Sequence, residues 1–313
     1  MAALLAGEAI ERFDCFGGSC AVLVRGRGPA GSSREAATRA ARRMREWHTQ
    51  FSRFDPTSEL CALNADARET VPVSPMMARF LGAALDAATR TGGLIDPTLV
   101  DEINAAGYKR SFAVPSLPVR DALCGAPTRG PAAPSPSSRW REINVDCDAQ
   151  TVARPQGVRI DSGGIAKGLF ADVLGSSLQG HPSFAVDAAG DLRFGGTHAA
   201  PRDVRVRSPF DDTVLHTFRL SRGAVATSGI TKRSWRDDDG CAAHHILDPA
   251  SGKPAFTGVL QVTALAPTAL EAEALAKAAL LSGPGPALSW LPHGGVVVGE
   301  DAVEIIEPRG NEL

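Results

Sequence analysis

Helical periodicity appears in this chain as isolated blocks, and short strand-like runs fill the intervals without a regular strand-helix-strand alternation. That pattern argues against a doubly wound parallel sheet and for an α+β fold, with mixed or antiparallel sheets and a few separate helices. One block follows a capping box, Ser32 with Glu35, and sets Ala37, Ala41, Met44, Trp47 and Phe51 on one face. A second opens on Ser74-Pro75 and runs through Met77, Phe80, Leu81, Ala84, Leu85 and Ala88 to Gly92-Gly93. A last block opens with Thr268 and Glu271 and is expected to bury Leu270, Ala274, Leu275, Ala278 and Leu281. Strands are expected at 20–24, 143–145, 151–153, 184–186, 204–206, 215–220, 224–226 and 259–265, with a closing hairpin of 296–298 and 303–306.

At 313 residues with 43% hydrophobic and 22% charged content, the chain can bury a sizeable core. From 114 to 138 the composition shifts to Pro, Ser, Gly and Ala, which predicts a surface insertion within one domain spanning 1–313, since strand signals resume directly beyond it. A net charge of -2 gives no electrostatic reason for a nucleic-acid or anionic-membrane partner and points to a small molecule or a protein. The first residues lack the basic start of a signal peptide, and no stretch approaches the ~18 apolar residues of a membrane helix, so a cytoplasmic location is expected. Six scattered cysteines without C-x-x-C spacing predict free buried thiols.

The stretch Gly163-Gly164-Ile165-Ala166-Lys167-Gly168 lies between a strand-like run at 157–160 and a helical pattern carried by Leu169, Val173, Leu174 and Leu178. Backbone N–H groups at such a junction, with the helix dipole behind them, favour an anion. The spacing is neither that of a P-loop nor that of the dinucleotide fingerprint. A glycine turn with a solvated lysine describes the same residues.

Other polar clusters stand at element boundaries: Ser52-Arg53-Phe54-Asp55 with Ser58-Glu59-Leu60 and Leu63-Asn64, Asp96-Pro97-Thr98 followed by Gly107-Tyr108, Gly190-Asp191, Thr227-Ser228-Gly229, and His245-Ile246-Leu247-Asp248-Pro249. In this order, with the central glycines and Asp172, they resemble the ApbE-type flavin transferases over nearly the whole chain. The resemblance implies a T-fold-like α+β domain that cleaves FAD and attaches FMN through a phosphoester to a threonine or serine of an acceptor protein, assisted by Mg2+. FAD hydrolysis to FMN and AMP, and FAD binding without catalysis, are the alternatives. It further implies that Ser58, Glu59, Asn64, Asp96 and Thr98 approach the nucleotide, and that Asp191, Thr227, Ser228 and Gly229 line the flavin or phosphate end. Lys167, with Gly163 and Gly164, would face the pyrophosphate. His245 beside Asp248 is the expected base, because an attacking hydroxyl needs a group that titrates near neutrality; His244 is expected to be structural. The metal contacts implied are the Gly164 carbonyl and Glu273.

The last helix departs from the family pattern. Where the family has Ala-Asp-Ala-Leu-Ala-Thr, with the Asp and Thr binding the metal, this chain has Ala272-Glu273-Ala274-Leu275-Ala276-Lys277. An ammonium cannot ligate a metal. Lys277 is therefore either half of a surface Glu273–Lys277 pair worth ~0.3–0.5 kcal/mol, or a tethered charge in the cation position itself.

Overall fold

Eight strands pair in strict chain order into one antiparallel sheet in a computed structural model, which describes residues 7–109, 117–123, 129–237 and 239–308. The strands are β1 (Glu8–Cys15), β2 (Gly18–Arg25), β3 (Ser183–Ala188), β4 (Asp191–Gly195), β5 (Gly223–Gly229), β6 (Val259–Ala266), β7 (Gly295–Gly299) and β8 (Val303–Ile306). Every other element is an excursion between neighbouring strands. Six helices lie between β2 and β3: α1 (Ser33–Gln50), α2 (Glu59–Ala65), α3 (Pro75–Arg90), α4 (Val100–Ala105), α5 (Val119–Leu123) and α6 (Ala166–Leu178). A hairpin of Arg202–Arg207 and Val214–Leu220 separates β4 from β5, and α7 (Ala269–Ser282) separates β6 from β7. Two short hairpins fill the interval from β5 to β6, Ser234–Arg236 with Ala242–His244 and Leu247–Asp248 with Lys253–Pro254.

Side-chain alternation along the strands assigns the two faces. Cys20, Val22 and Val24 of β2 pack into the cluster formed with α1, α3 and α6, whereas Ala21 and Leu23 pack with Val204, Val206, Phe218 and Leu220 of the covering hairpin. With both faces covered, β3 and β6 are buried along their whole length. The expected caps are present: Ser32 accepts the Glu35 N–H while Glu35 accepts the Ser32 N–H, and Ser74 accepts the Met77 N–H ahead of Pro75. The closing hairpin forms as β7 and β8. None of the described helices is long and apolar enough to cross a membrane.

Three expectations are corrected. Residues 157–160 form no strand: the Asn64 amide takes the place of a ladder neighbour, donating to the Ile160 carbonyl at 2.8 Å and accepting its N–H at 2.7 Å, while buried Arg154 donates to the Val158 carbonyl. The stretch expected as a surface insertion is mostly exposed or half-buried where described but is anchored: Gly130, Ala132 and Ala133 are tied by backbone N–H donation to Phe256, Leu281 and Asp248, and α5 brings buried Val119 into the cluster under α7; residues 114–116 and 124–128 lie outside the described residues. Cys15 and Cys20 are buried free thiols, but Cys147 and Cys241 are exposed. Finally, α7 buries Ala278 and Leu281 as expected but also Ala269, Ala272, Glu273, Ala276, Ala279 and Leu280, while Leu270, Ala274 and Leu275 are only partly buried. An almost uniformly apolar helix leaves periodicity nothing to select, and the orientation is set by what α7 meets.

Candidate active site

What α7 meets is the start of α6. Gly168 stands in the first turn of α6, where a Cβ would come within 2.5 Å of the Ala269 carbonyl oxygen, so glycine is required for the two helices to touch. The contact lets Glu273, 1% exposed, accept the Gly168 N–H at 2.9 Å through Oε2. The anion at this helix N-terminus is therefore a side chain of the protein itself. Asp172 of α6 accepts the Ala269 and Leu270 N–H groups, both at 2.9 Å.

Two lysines complete the junction. Lys277, one turn beyond Glu273, donates to the Gly164 carbonyl at 2.7 Å and to Glu273 Oε1 at 3.2 Å. Lys167 pairs with Asp191 at 2.5 Å and lies 3.8 Å from Glu273 Oε1. Asp191 is delivered by the tight β3–β4 turn, whose Ala189 and Gly190 both have positive φ, 56° and 106°. Burial works against the charge on Lys167, but Asp191 and Glu273 outweigh it and hold its pKa above the ordinary lysine value. Burial, opposed by Lys167 and reinforced by Glu273, raises the Asp191 carboxyl.

Two cavities meet at these residues, and Gly163, Lys167, Arg233, His245 and Lys277 line both. The first is apolar and aromatic, walled by Phe16, Phe51, Phe54, Ile95, Leu99 and Tyr108. Arg53 stacks over Phe54 and Tyr108 at 4.4 and 4.6 Å from the ring centroids, and Trp235 backs Tyr108 in parallel at 5.5 Å. The second is polar, walled by Asp187, Asp191, Thr227, Ser228, Gly229 and Glu273. Burial, then the positive charges of Arg233, Lys277 and Lys167 with His244 beside it, push the His245 imidazole well below its ordinary pKa. His245 is thus neutral at neutral pH and does not titrate near neutrality as expected, because its burial and positive neighbours oppose a proton; its buried Nδ1 has no hydrogen-bond partner among the described residues. His244 is 1% exposed, packs edge-on against Phe256 and accepts the Ile246 N–H.

Of the residues singled out from sequence, Asp96, Gly163, Gly164, Lys167, Asp191, Thr227, Ser228, Gly229, His245, Glu273 and Lys277 line these cavities. Ser58, Glu59, Asn64 and Thr98 are not among the lining residues, and each holds a neighbouring segment in place. Ser58 caps α2 and donates to the Ser52 carbonyl, and Glu59 accepts both the N–H and the hydroxyl of Ser74. Asn64 brackets Ile160, and Thr98 donates twice to Asp96 Oδ1. Asp248 does not orient His245: its Oδ1 accepts from Ala133 and Ala250 and its Oδ2 from Ser251, closing a turn. Arg233, Phe16 and Trp235 went unmarked in the sequence. A lone arginine after Thr-Ser-Gly and two scattered aromatics carry no spacing signal; the tertiary fold alone collects them.

A model of the ApbE family matches residues 16–298. The chain belongs to the ApbE family. It is 30% identical over 289 residues to an FAD:protein FMN transferase from Treponema pallidum, covering 86% of this chain and 77% of that protein. An FAD:protein FMN transferase from Rhodobacter capsulatus is 28% identical over 292 residues, 89% of this chain, which spans 52% of that relative's length. The crystal structure of an ApbE protein from Thermotoga maritima matches with a TM-score of 0.78 at 28% identity, covering 96% of this chain and 97% of that one.

The ApbE resemblance implied Mg2+ held by the Gly164 carbonyl and Glu273. Those donors do not fit it in this chain. Both the Gly164 oxygen and Glu273 Oε1 already accept from the Lys277 ammonium, and Glu273 Oε2 accepts from Gly168. Mg2+ demands about six oxygens at ~2.0–2.1 Å in octahedral array. No group of three or more His, Cys, Asp and Glu side chains able to hold a metal occurs among the described residues. In this structure the Lys277 ammonium lies between the two oxygens expected to hold the metal.

Proposed function

We propose that this ApbE-family chain is an FAD:protein FMN transferase, acting on a threonine or serine of an acceptor protein. One observation carries the proposal: fixed cations (Lys167, Lys277, Arg233) and a neutral imidazole (His245) converge where an aromatic cavity opens into a polar one. A dinucleotide joined through a pyrophosphate has the same division, with flat ring systems flanking a doubly charged centre. In this reading a ring lies against Tyr108 and Phe54, and the pyrophosphate spans the Lys167, Lys277 and Arg233 charges. The acceptor hydroxyl enters from the side of Thr227 and Ser228. Its oxygen bonds to the FMN phosphorus, the bond from that phosphorus to the AMP oxygen breaks, and the hydroxyl proton passes to His245. The phosphate charge offsets the positive neighbours that depress the His245 pKa, so the ring becomes a better base once substrate is bound. Positioning and charge stabilisation supply most of what phosphoryl transfer requires. Residues 1–313 are taken as one domain, since a single sheet draws strands from both ends of the chain.

Incubating the purified protein with FAD and a candidate acceptor, and following AMP release and covalent flavin together, tests this reading. Both products appear if it is right. AMP without covalent flavin assigns a pyrophosphatase, and FAD binding without AMP a binding protein.

A further inference from the structure

We propose that the Lys277 ammonium is a resident cation, so that the site binds and orients the FAD pyrophosphate without a divalent metal. The proposal rests on the transferase reading only in taking FAD as the ligand. Three observations carry it.

Lys277 is no surface partner of Glu273: their side chains are 15% and 2% exposed, and the ammonium has a second partner in the Gly164 carbonyl, far away in sequence. Its place is that of the expected metal, between the same two oxygens.

The ammonium is also poised toward the cavity. A lysine has three N–H donors. Gly164 and Glu273 take two, and Lys277 lines both cavities, so the third is available to a ligand oxygen there. Lys277 thereby bridges protein and phosphate.

The surrounding charge, finally, leans positive. Three carboxylates, Asp187, Asp191 and Glu273, and four cations, Lys167, Lys232, Arg233 and Lys277, line the polar cavity. With Asp191 and Glu273 already paired to the two ammonium groups, a divalent ion entering here would meet more cations than carboxylates, whereas a pyrophosphate entering would meet its complement.

FAD titrations of the whole protein, followed by flavin fluorescence after dialysis against EDTA and again with excess MgCl2, test this directly. The two dissociation constants are expected to agree within about twofold. A dissociation constant about tenfold or more tighter with MgCl2, or binding only in its presence, would overturn the resident-cation proposal and leave the transferase reading standing. Failure to bind FAD in either buffer would overturn both. The Lys277→Thr variant, shown to be folded by its thermal transition, is expected to lose about tenfold or more in FAD affinity in EDTA and to regain part of it with MgCl2. Unchanged affinity of folded K277T in EDTA would overturn the proposal independently.

Discussion

Asp172 and Glu273 each cap the other's helix. The α6 carboxylate accepts the opening N–H groups of α7, and the α7 carboxylate accepts the Gly168 N–H in the opening turn of α6. The exchange fixes both the crossing of the helices and the height of Lys277 along α7, and it depends on the absence of a side chain at Gly168.

Gly168→Ala tests that dependence. The new methyl would meet the backbone of Ala269 and Leu270 at 2.5–2.8 Å, where no flexible group can yield. A loss of ~1–3 kcal/mol is expected, seen as a lower urea midpoint at unchanged m. Full retention of the midpoint would show that the helices part without cost.

Arg202 and Glu8 form an ion pair whose side chains are wholly excluded from solvent. Arg202→Met removes the guanidinium from this buried pair and is expected to cost ~3–5 kcal/mol. Glu8→Gln in the same background should return most of it, and chemical denaturation of the single and double variants reads the coupling.

The pH dependence of stability should carry the mark of His244, pushed down to about 3 by burial from an ordinary value of 6.5. The unfolded chain binds a proton that the folded one refuses. Stability from this group is therefore complete above pH 6.5 and is lost as pH falls toward 3, at ~1.4 kcal/mol per unit. Asp191, pushed up to about 6, slopes the other way between 3.8 and 6. His244→Asn keeps an acceptor for the Ile246 N–H and removes one proton from the balance. The difference between variant and parent should flatten the acid limb; parallel curves would contradict it.

His245→Gln is expected to reduce AMP release by ~10²–10⁴-fold while FAD affinity stays within about threefold, since a proton acceptor is lost and the fixed cations remain. Single-turnover product assays beside an FAD titration separate the two effects. A collapse of affinity with a modest rate change would assign His245 to binding.

Tyr108→Ala removes one face of the aromatic cavity and the stacking partner of Trp235. Flavin fluorescence titration should show a roughly two- to tenfold weaker dissociation constant, the range expected for loss of one ring contact.

Local chemistry that binds near neighbours was legible in the sequence. The Ser32–Glu35 box, the Ser74-Pro75 start and the β7–β8 hairpin each depend on residues a few positions apart, and each forms as expected. Family resemblance brought Lys167, Asp191, His245 and Lys277 into view, and they do line one pair of cavities. What escaped was long-range competition for the same polar atoms. Asn64 has the residue type of a ligand contact, but the Ile160 backbone claims its amide, and nothing near it in sequence announces that claim. Asp248 is taken up both locally, by Ala250 and Ser251, and at long range, by the Ala133 N–H. The inward face of α7 was legible only in Ala278 and Leu281, because alanine and leucine surround it, and only the meeting with Gly168 selects Glu273.

The chain-order sheet has one more consequence. Each excursion leaves one strand and returns on its immediate neighbour, so its ends are held ~4.8 Å apart whatever its length. Doubling the length of such a closed segment costs only ~0.6 kcal/mol, and an insertion there shifts no strand against its partners. The segments bearing the aromatic wall, the imidazole and the ammonium can thus be lengthened or exchanged one at a time, on a frame that does not register the change.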